Sequence, residues 1–106
     1  MRVISHFKMV HTVLVIFKFL EGKKKECFEI WNGPDGISVT RGWEGCQSIE
    51  VYESAEDPNQ VFCWQKWADA SNYASYLAMR TETGLLAKIL EMTSEVQILP
   101  LASIDM

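Results

Sequence analysis

The sequence predicts an α+β domain of the ferredoxin-like type: the split β-α-β-β-α-β plan, with an antiparallel sheet carrying its helices on one face. Three observations carry that expectation. Residues 10–19 are apolar on both alternating sets, Val10, Thr12, Leu14, Ile16 and Val13, Val15, Phe17, Phe19. Two period-two runs, Cys46–Glu53 and Gln60–Trp67, are separated by the turn Ala55-Glu56-Asp57-Pro58-Asn59, which reads as a hairpin. Helical patterns follow the first and third of these strands, and a short apolar run at 96–101 closes the chain as a last strand.

In chain order, Glu21-Gly22 ends the first strand, and Lys23–Trp31 forms a helix that buries Cys27, Phe28, Ile30 and Trp31. The run Lys23-Lys24-Lys25 belongs in the turn or on the solvated face, because cations at a helix start oppose its macrodipole. Asn32-Gly33-Pro34-Asp35-Gly36 breaks that helix, since the residue before a proline avoids the helical region. Asp35 is then a candidate cap for a short helical piece from 37 to about 43, before the turn at Gly45. The stretch from 60 to 80 turns from a strand rhythm to a helix rhythm at Trp67. Val61, Cys63, Gln65 and Trp67 alternate with Phe62, Trp64 and Lys66, and then Tyr73, Tyr76, Leu77 and Arg80 recur at helical spacing. Asp69 or Ser71 can cap that helix. It is expected to bend near 81–84 and resume with Leu85, Leu86, Ile89 and Leu90.

A chain of 106 residues fits one domain burying roughly 65% of its unfolded surface. Residues 9–106 are taken as that domain and residues 1–8 as an extension without strong pattern; translation beginning at Met9 would make them an artefact. The net charge of -4, with only ten Lys and Arg, gives no broad positive field for nucleic acid or an anionic membrane. Residues 1–19 superficially resemble a signal peptide, but Lys18 interrupts the apolar run, no small-residue cleavage site follows, and the run is too short to span a bilayer. Three cysteines, Cys27, Cys46 and Cys63, form no CxxC pair and cannot all pair within one chain, so a reducing cytoplasm is expected. They fall on different elements, and His6 and His11 lack a companion carboxylate at ligand spacing, so no metal site is expected.

The run Gly45-Cys46, the strand from Ser48 to Tyr52, the turn Asp57-Pro58, and the strand ending at Trp67 before residues 73–80 resemble the antibiotic biosynthesis monooxygenase domain of the dimeric α+β barrel superfamily. The resemblance covers residues 10–101 and is strongest over 45–80. It implies a homodimer. In characterised members it implies oxidation of polycyclic phenols or anthrones by O₂ without metal, flavin or haem. A homodimer also follows from the first strand, whose second apolar face needs a cover, and two sheets face to face supply one.

Oxygenation without a cofactor needs a substrate that supplies the electrons and a protein that polarises it, excludes water and stabilises an oxyanion. Trp67 matches the tryptophan common at the end of this strand, and Trp67, Tyr73, Tyr76 and Gln65 are the expected substrate-binding residues. Trp67, Arg80 and His11 are the candidates for the chemistry, Arg80 by stabilising a carbonyl or phenolate and His11 as proton acceptor. Each has a structural alternative: core anchor for Trp67, core or interface for the tyrosines, salt bridge for Arg80, and structural hydrogen bonds for Gln65 and His11. Tyr76 stands where many members have histidine. Haem-degrading relatives use an axial histidine on this helix and an asparagine in the first strand; both are missing here, which disfavours haem. The function expected is cofactor-independent oxidation of an aromatic or quinol-type small molecule; the alternative is a non-catalytic binding or regulatory module using the same cavity.

Overall fold

A computed structural model describes residues 10–106. The expected extension at 1–8, and His6 within it, lie outside the described residues. The chain runs β1 (His11–Phe19), α1 (Lys23–Trp31), α2 (Ile37–Gly42), β2 (Cys46–Glu53), β3 (Gln60–Trp67), α3 (Ala70–Glu82), α4 (Leu85–Glu91) and β4 (Thr93–Leu101). The four strands make one sheet in the order β2-β3-β1-β4, with every neighbouring pair antiparallel. This is the ferredoxin-like α+β architecture that the sequence predicts.

Register sorts the side chains. Opposite residues in a pair share a face, so Val13 against Gln65, Val15 against Cys63 and Phe17 against Val61 put one set under the helices. Val13, Val61 and Trp67 are there completely buried, as is Cys27 of α1. Trp31, one turn beyond Cys27, meets the edges of Phe17 and Phe19 at centroid distances of 5.2 and 6.2 Å. The other face collects Leu14, Ile16, Phe62, Trp64, Tyr52 and Leu99, which the register sets side by side. Of these, Tyr52 remains 47% and Trp64 39% exposed, too much apolar surface for a sheet face that meets only water.

Helix starts correct the sequence expectation in part. Asp69 caps α3, its carboxylate accepting from the Ser71 N–H at 3.0 Å. Asp35 does not cap α2. The N-cap is Gly36, with no side-chain bond, because Gly36 must press against the end of α1, where an added Cβ would fall inside contact with the Trp31 carbonyl. The lysine run opens α1 itself; Lys23 pairs with Glu26 at 3.2 Å and Lys24 with Glu53 at 3.3 Å, which offsets the unfavourable dipole. Phe28 and Ile30 are half-buried, whereas Cys27 and Trp31 are fully buried.

The bend expected at 81–84 is a full break. Gly84 adopts φ 82°, a left-handed turn that ends α3 and starts α4. The last strand begins at Thr93, three residues before the apolar run, because backbone pairing of Thr93 with Phe19 needs no apolar side chain.

Candidate functional site

The site is assembled from the end of β3, the middle of α3 and the short α2. Gln65 and Trp67, two apart on β3, point to the helix side. The Trp67 indole N–H donates to Gln65 Oε1 at 3.0 Å. An indole nitrogen only donates, so the amide oxygen must face it and the Gln65 NH₂ is turned away. Tyr73 and Tyr76 then close over the indole at centroid distances of 5.6 and 5.1 Å.

Arg80, one turn beyond Tyr76, is 8% exposed. Its Nε donates to the Tyr76 hydroxyl at 2.9 Å, Nη1 to the Asp35 carbonyl at 2.8 Å, and Nη2 to the Gly36 carbonyl at 2.9 Å and Thr40 Oγ1 at 3.1 Å. Thr40 and Tyr76 hydroxyls meet at 2.7 Å. Both accept from Arg80, and one gives its proton to the other, so among the described residues one hydroxyl proton and one Nη1 proton of this cluster remain unspent. Arg80 thereby fastens α2 across the helix side of the sheet.

Between sheet and helices lies a cavity of about 80 Å³, walled mainly by apolar side chains such as Val15, Phe17, Ile49, Leu77 and Leu86. Its polar wall is Gln65, Tyr73, Tyr76, Arg80 and Thr40. Among the described residues the Gln65 NH₂ and the Tyr73 hydroxyl make no hydrogen bond, although these residues are only 6% and 7% exposed. Among the described residues no buried polar side-chain atom is sealed away without a partner, so both groups meet open space. The structure thus brings Gln65, Tyr73, Tyr76 and Arg80 to one cavity. Trp67 backs the two tyrosines from within the core and does not line it. His11 stands at the end of β1 with its ring 5.7 Å from Tyr73, also outside the lining.

Burial sets the acid–base character. Desolvation, followed by the neighbouring Tyr76 and Cys63, pushes Tyr73 up to about 12. Desolvation likewise pushes Cys27 and Cys63 up to about 12 from 9.0. Neither thiol is a nucleophile at neutral pH. In the unfolded chain these groups ionise from about pH 9 for cysteine and 10 for tyrosine, while the fold retains their protons to about 12. The unfolded state then binds fewer protons, so stability is fully present below pH 9 and falls steadily between 9 and 12. Urea midpoints measured across that window should decline; a flat profile would contradict the burial of these groups.

Thr40, Gly36 and the Asp35 carbonyl were not legible as site elements. The breaker at 32–36 marks a turn but gives no sign that its carbonyls accept from an arginine more than forty residues away. Among the described residues, no cluster of three or more His, Cys, Asp or Glu could hold a metal ion, and no helix is long and apolar enough to cross a membrane.

The order of elements, the antiparallel sheet and the cavity beneath its helices define a ferredoxin-like α+β domain. Its fold is that of the antibiotic biosynthesis monooxygenase-like proteins. The structure of Rv0793 from Mycobacterium tuberculosis superposes with a TM-score of 0.78 at 18% identity, over 92% of this chain and 98% of that one. A structure named antibiotic biosynthesis monooxygenase gives 0.75 at 13% identity, over 92% and 100%. A candidate antibiotic biosynthesis monooxygenase from Chloroflexus aurantiacus gives 0.73 at 11%, over 92% and 95%. Identities this low establish likeness of fold. No family model matches the sequence, and no curated protein matches it significantly.

Proposed function

We propose that this chain is a cofactor-independent monooxygenase-like protein that oxidises an aromatic or quinol-type small molecule with O₂. The observation that carries the reading is the apolar cavity whose few polar groups include unspent donors, from Gln65, Tyr73 and the Arg80 cluster. Such donors stabilise negative charge developing on a ring oxygen where water is excluded. For a phenol, the ring carbon para to the hydroxyl becomes a carbonyl. One atom of O₂ enters there, and the other leaves as water with the ring hydrogen and the hydroxyl hydrogen. The electrons come from the substrate.

Oxygen uptake with a panel of phenols, anthrones and quinols tests this. Tyr73→Phe removes a hydroxyl that holds nothing in the fold, and should lower kcat/KM by about 10²-fold, the scale of losing one oxyanion donor, with an unchanged melting temperature. Undiminished turnover in that variant, or no oxygen uptake by the wild type with any of the panel, counts against the reading. A second reading, a binding or regulatory module, is favoured by one observation: among the described residues no His, Asp or Glu lines the cavity to serve as a base. Ligand-dependent melting shifts without oxygen uptake would select it.

The partner proposed is a second copy. Leu14, Ile16, Phe62 and Trp64 form the centre of an apolar sheet face, and an identical face is its natural complement in a two-fold dimer. Sedimentation at micromolar concentration should show a dimer; a single species of 12.1 kDa would overturn it.

A further inference from the structure

The Arg80 guanidinium is a buried cation with no counter-charge paired to it among the described residues. Among the described residues no ion pair includes it, and all four of its hydrogen bonds go to neutral oxygens. A buried charge held by neutral dipoles and by the face of the Tyr76 ring, 5.1 Å from its centroid, leaves a positive field in the spaces it adjoins: the cavity, and a second groove that it shares with Asp35 and Lys88. The same cavity is lined by Gln65 and Tyr73, side chains more than nine-tenths buried whose NH₂ and hydroxyl have no hydrogen-bond partner among the described residues. The Gln65 NH₂ only donates, whereas the Tyr73 hydroxyl can donate or accept. The polar wall therefore offers positive charge and donors, and among the described residues no carboxylate lines it to oppose an incoming anion.

We propose that the cavity binds a single-ring aromatic acid, its carboxylate toward Arg80 and the spare proton of the Thr40–Tyr76 pair, and its ring hydroxyl toward Gln65 and Tyr73. This rests on the proposed function and names the substrate class for the same site. Size favours one ring. A cavity of about 150 Å³ takes up benzene, and this one offers about 80 Å³, so a single ring already requires the half-exposed Leu85 and Leu86 to give way. A polycyclic ligand would need several times that displacement. Charge favours the carboxylate over a phenolate. A carboxylic acid is ionised at pH 7 before it enters, whereas the Tyr73 phenol in this wall is driven toward its neutral form by desolvation. Only the ligand that arrives charged compensates Arg80 without first losing a proton to a group that the cavity does not supply.

The test compares 3-hydroxybenzoate with 3-hydroxybenzamide, its neutral isostere, and with phenol. Binding to the wild-type protein is measured by calorimetry without oxygen, so that turnover plays no part. The acid should bind at least tenfold more tightly than the amide and than phenol. In Arg80→Met, checked for fold by circular dichroism, that preference should fall to less than threefold. An amide or phenol bound as tightly as the acid in the wild type overturns the proposal, and so does a preference that survives in Arg80→Met. The ligand comparison decides the matter even if Arg80→Met fails to fold. Oxygen uptake is then measured separately: an acid that binds without being oxidised keeps the anion site and removes the monooxygenase reading. A neutral phenol that is oxidised while the acid does not bind does the reverse.

Discussion

Replacing Trp67 by alanine should destabilise the fold by about 3–5 kcal/mol, a large share of the roughly 5–15 kcal/mol typical of a domain. The indole is completely buried and touches both Tyr73 and Tyr76, so its removal leaves a hole bounded by rigid rings and the sheet backbone. Gln65 Oε1 also loses its one donor among the described residues, which adds the cost of an unpaired buried acceptor. The change would be read as a shift in the urea midpoint at one fixed protein concentration, since any dimer makes that midpoint depend on concentration. A loss below about 1 kcal/mol would mean that the tyrosines collapse into the space and that Trp67 is not the anchor of this end of the core.

Gly36→Ala should cost about 1–3 kcal/mol, the scale of overpacking, and should disturb the candidate site from a distance. The added Cβ would overlap the Trp31 carbonyl and the Ile30 oxygen, which are backbone atoms that cannot rotate aside. The link from α1 to α2 must then shift. Gly36 also presents its carbonyl to Arg80, and Thr40 of the same helix completes that cluster, so the shift propagates to the polar wall of the cavity. Proton NMR of the Arg80 Nε–H would register it. Gly42→Ala is the control: its Cβ would meet nothing within 4 Å, and its effect should stay within about 0.5 kcal/mol. Equal effects at the two glycines would refute the close approach at Gly36.

The strands were legible where side chains alternate. Cys46–Glu53 and Gln60–Trp67 have the same limits in the sequence pattern and in the structure, because a half-buried hairpin writes its period of two directly into residue type. β4 was legible only in its apolar part; Thr93, Ser94 and Glu95 join the sheet through backbone pairing, to which side chains are indifferent. Asp35 carried the residue type of a cap, but the close approach of Gly36 to α1 decides the geometry there.

By itself the sequence determined the element order, the fold class and the fact that Gln65, Trp67, Tyr73, Tyr76 and Arg80 share one side of a strand-to-helix turn. Those are consequences of local periodicity, which a linear chain records. Only the tertiary structure decided that Trp67 stands behind the cavity instead of in its wall, that Thr40 and the Asp35 and Gly36 carbonyls hold Arg80, and that Gln65 and Tyr73 keep unspent polar groups. Each of those depends on which atoms meet across separations of tens of residues, and neither residue type nor spacing encodes which hydrogen-bonding groups are left without a partner once the chain has closed.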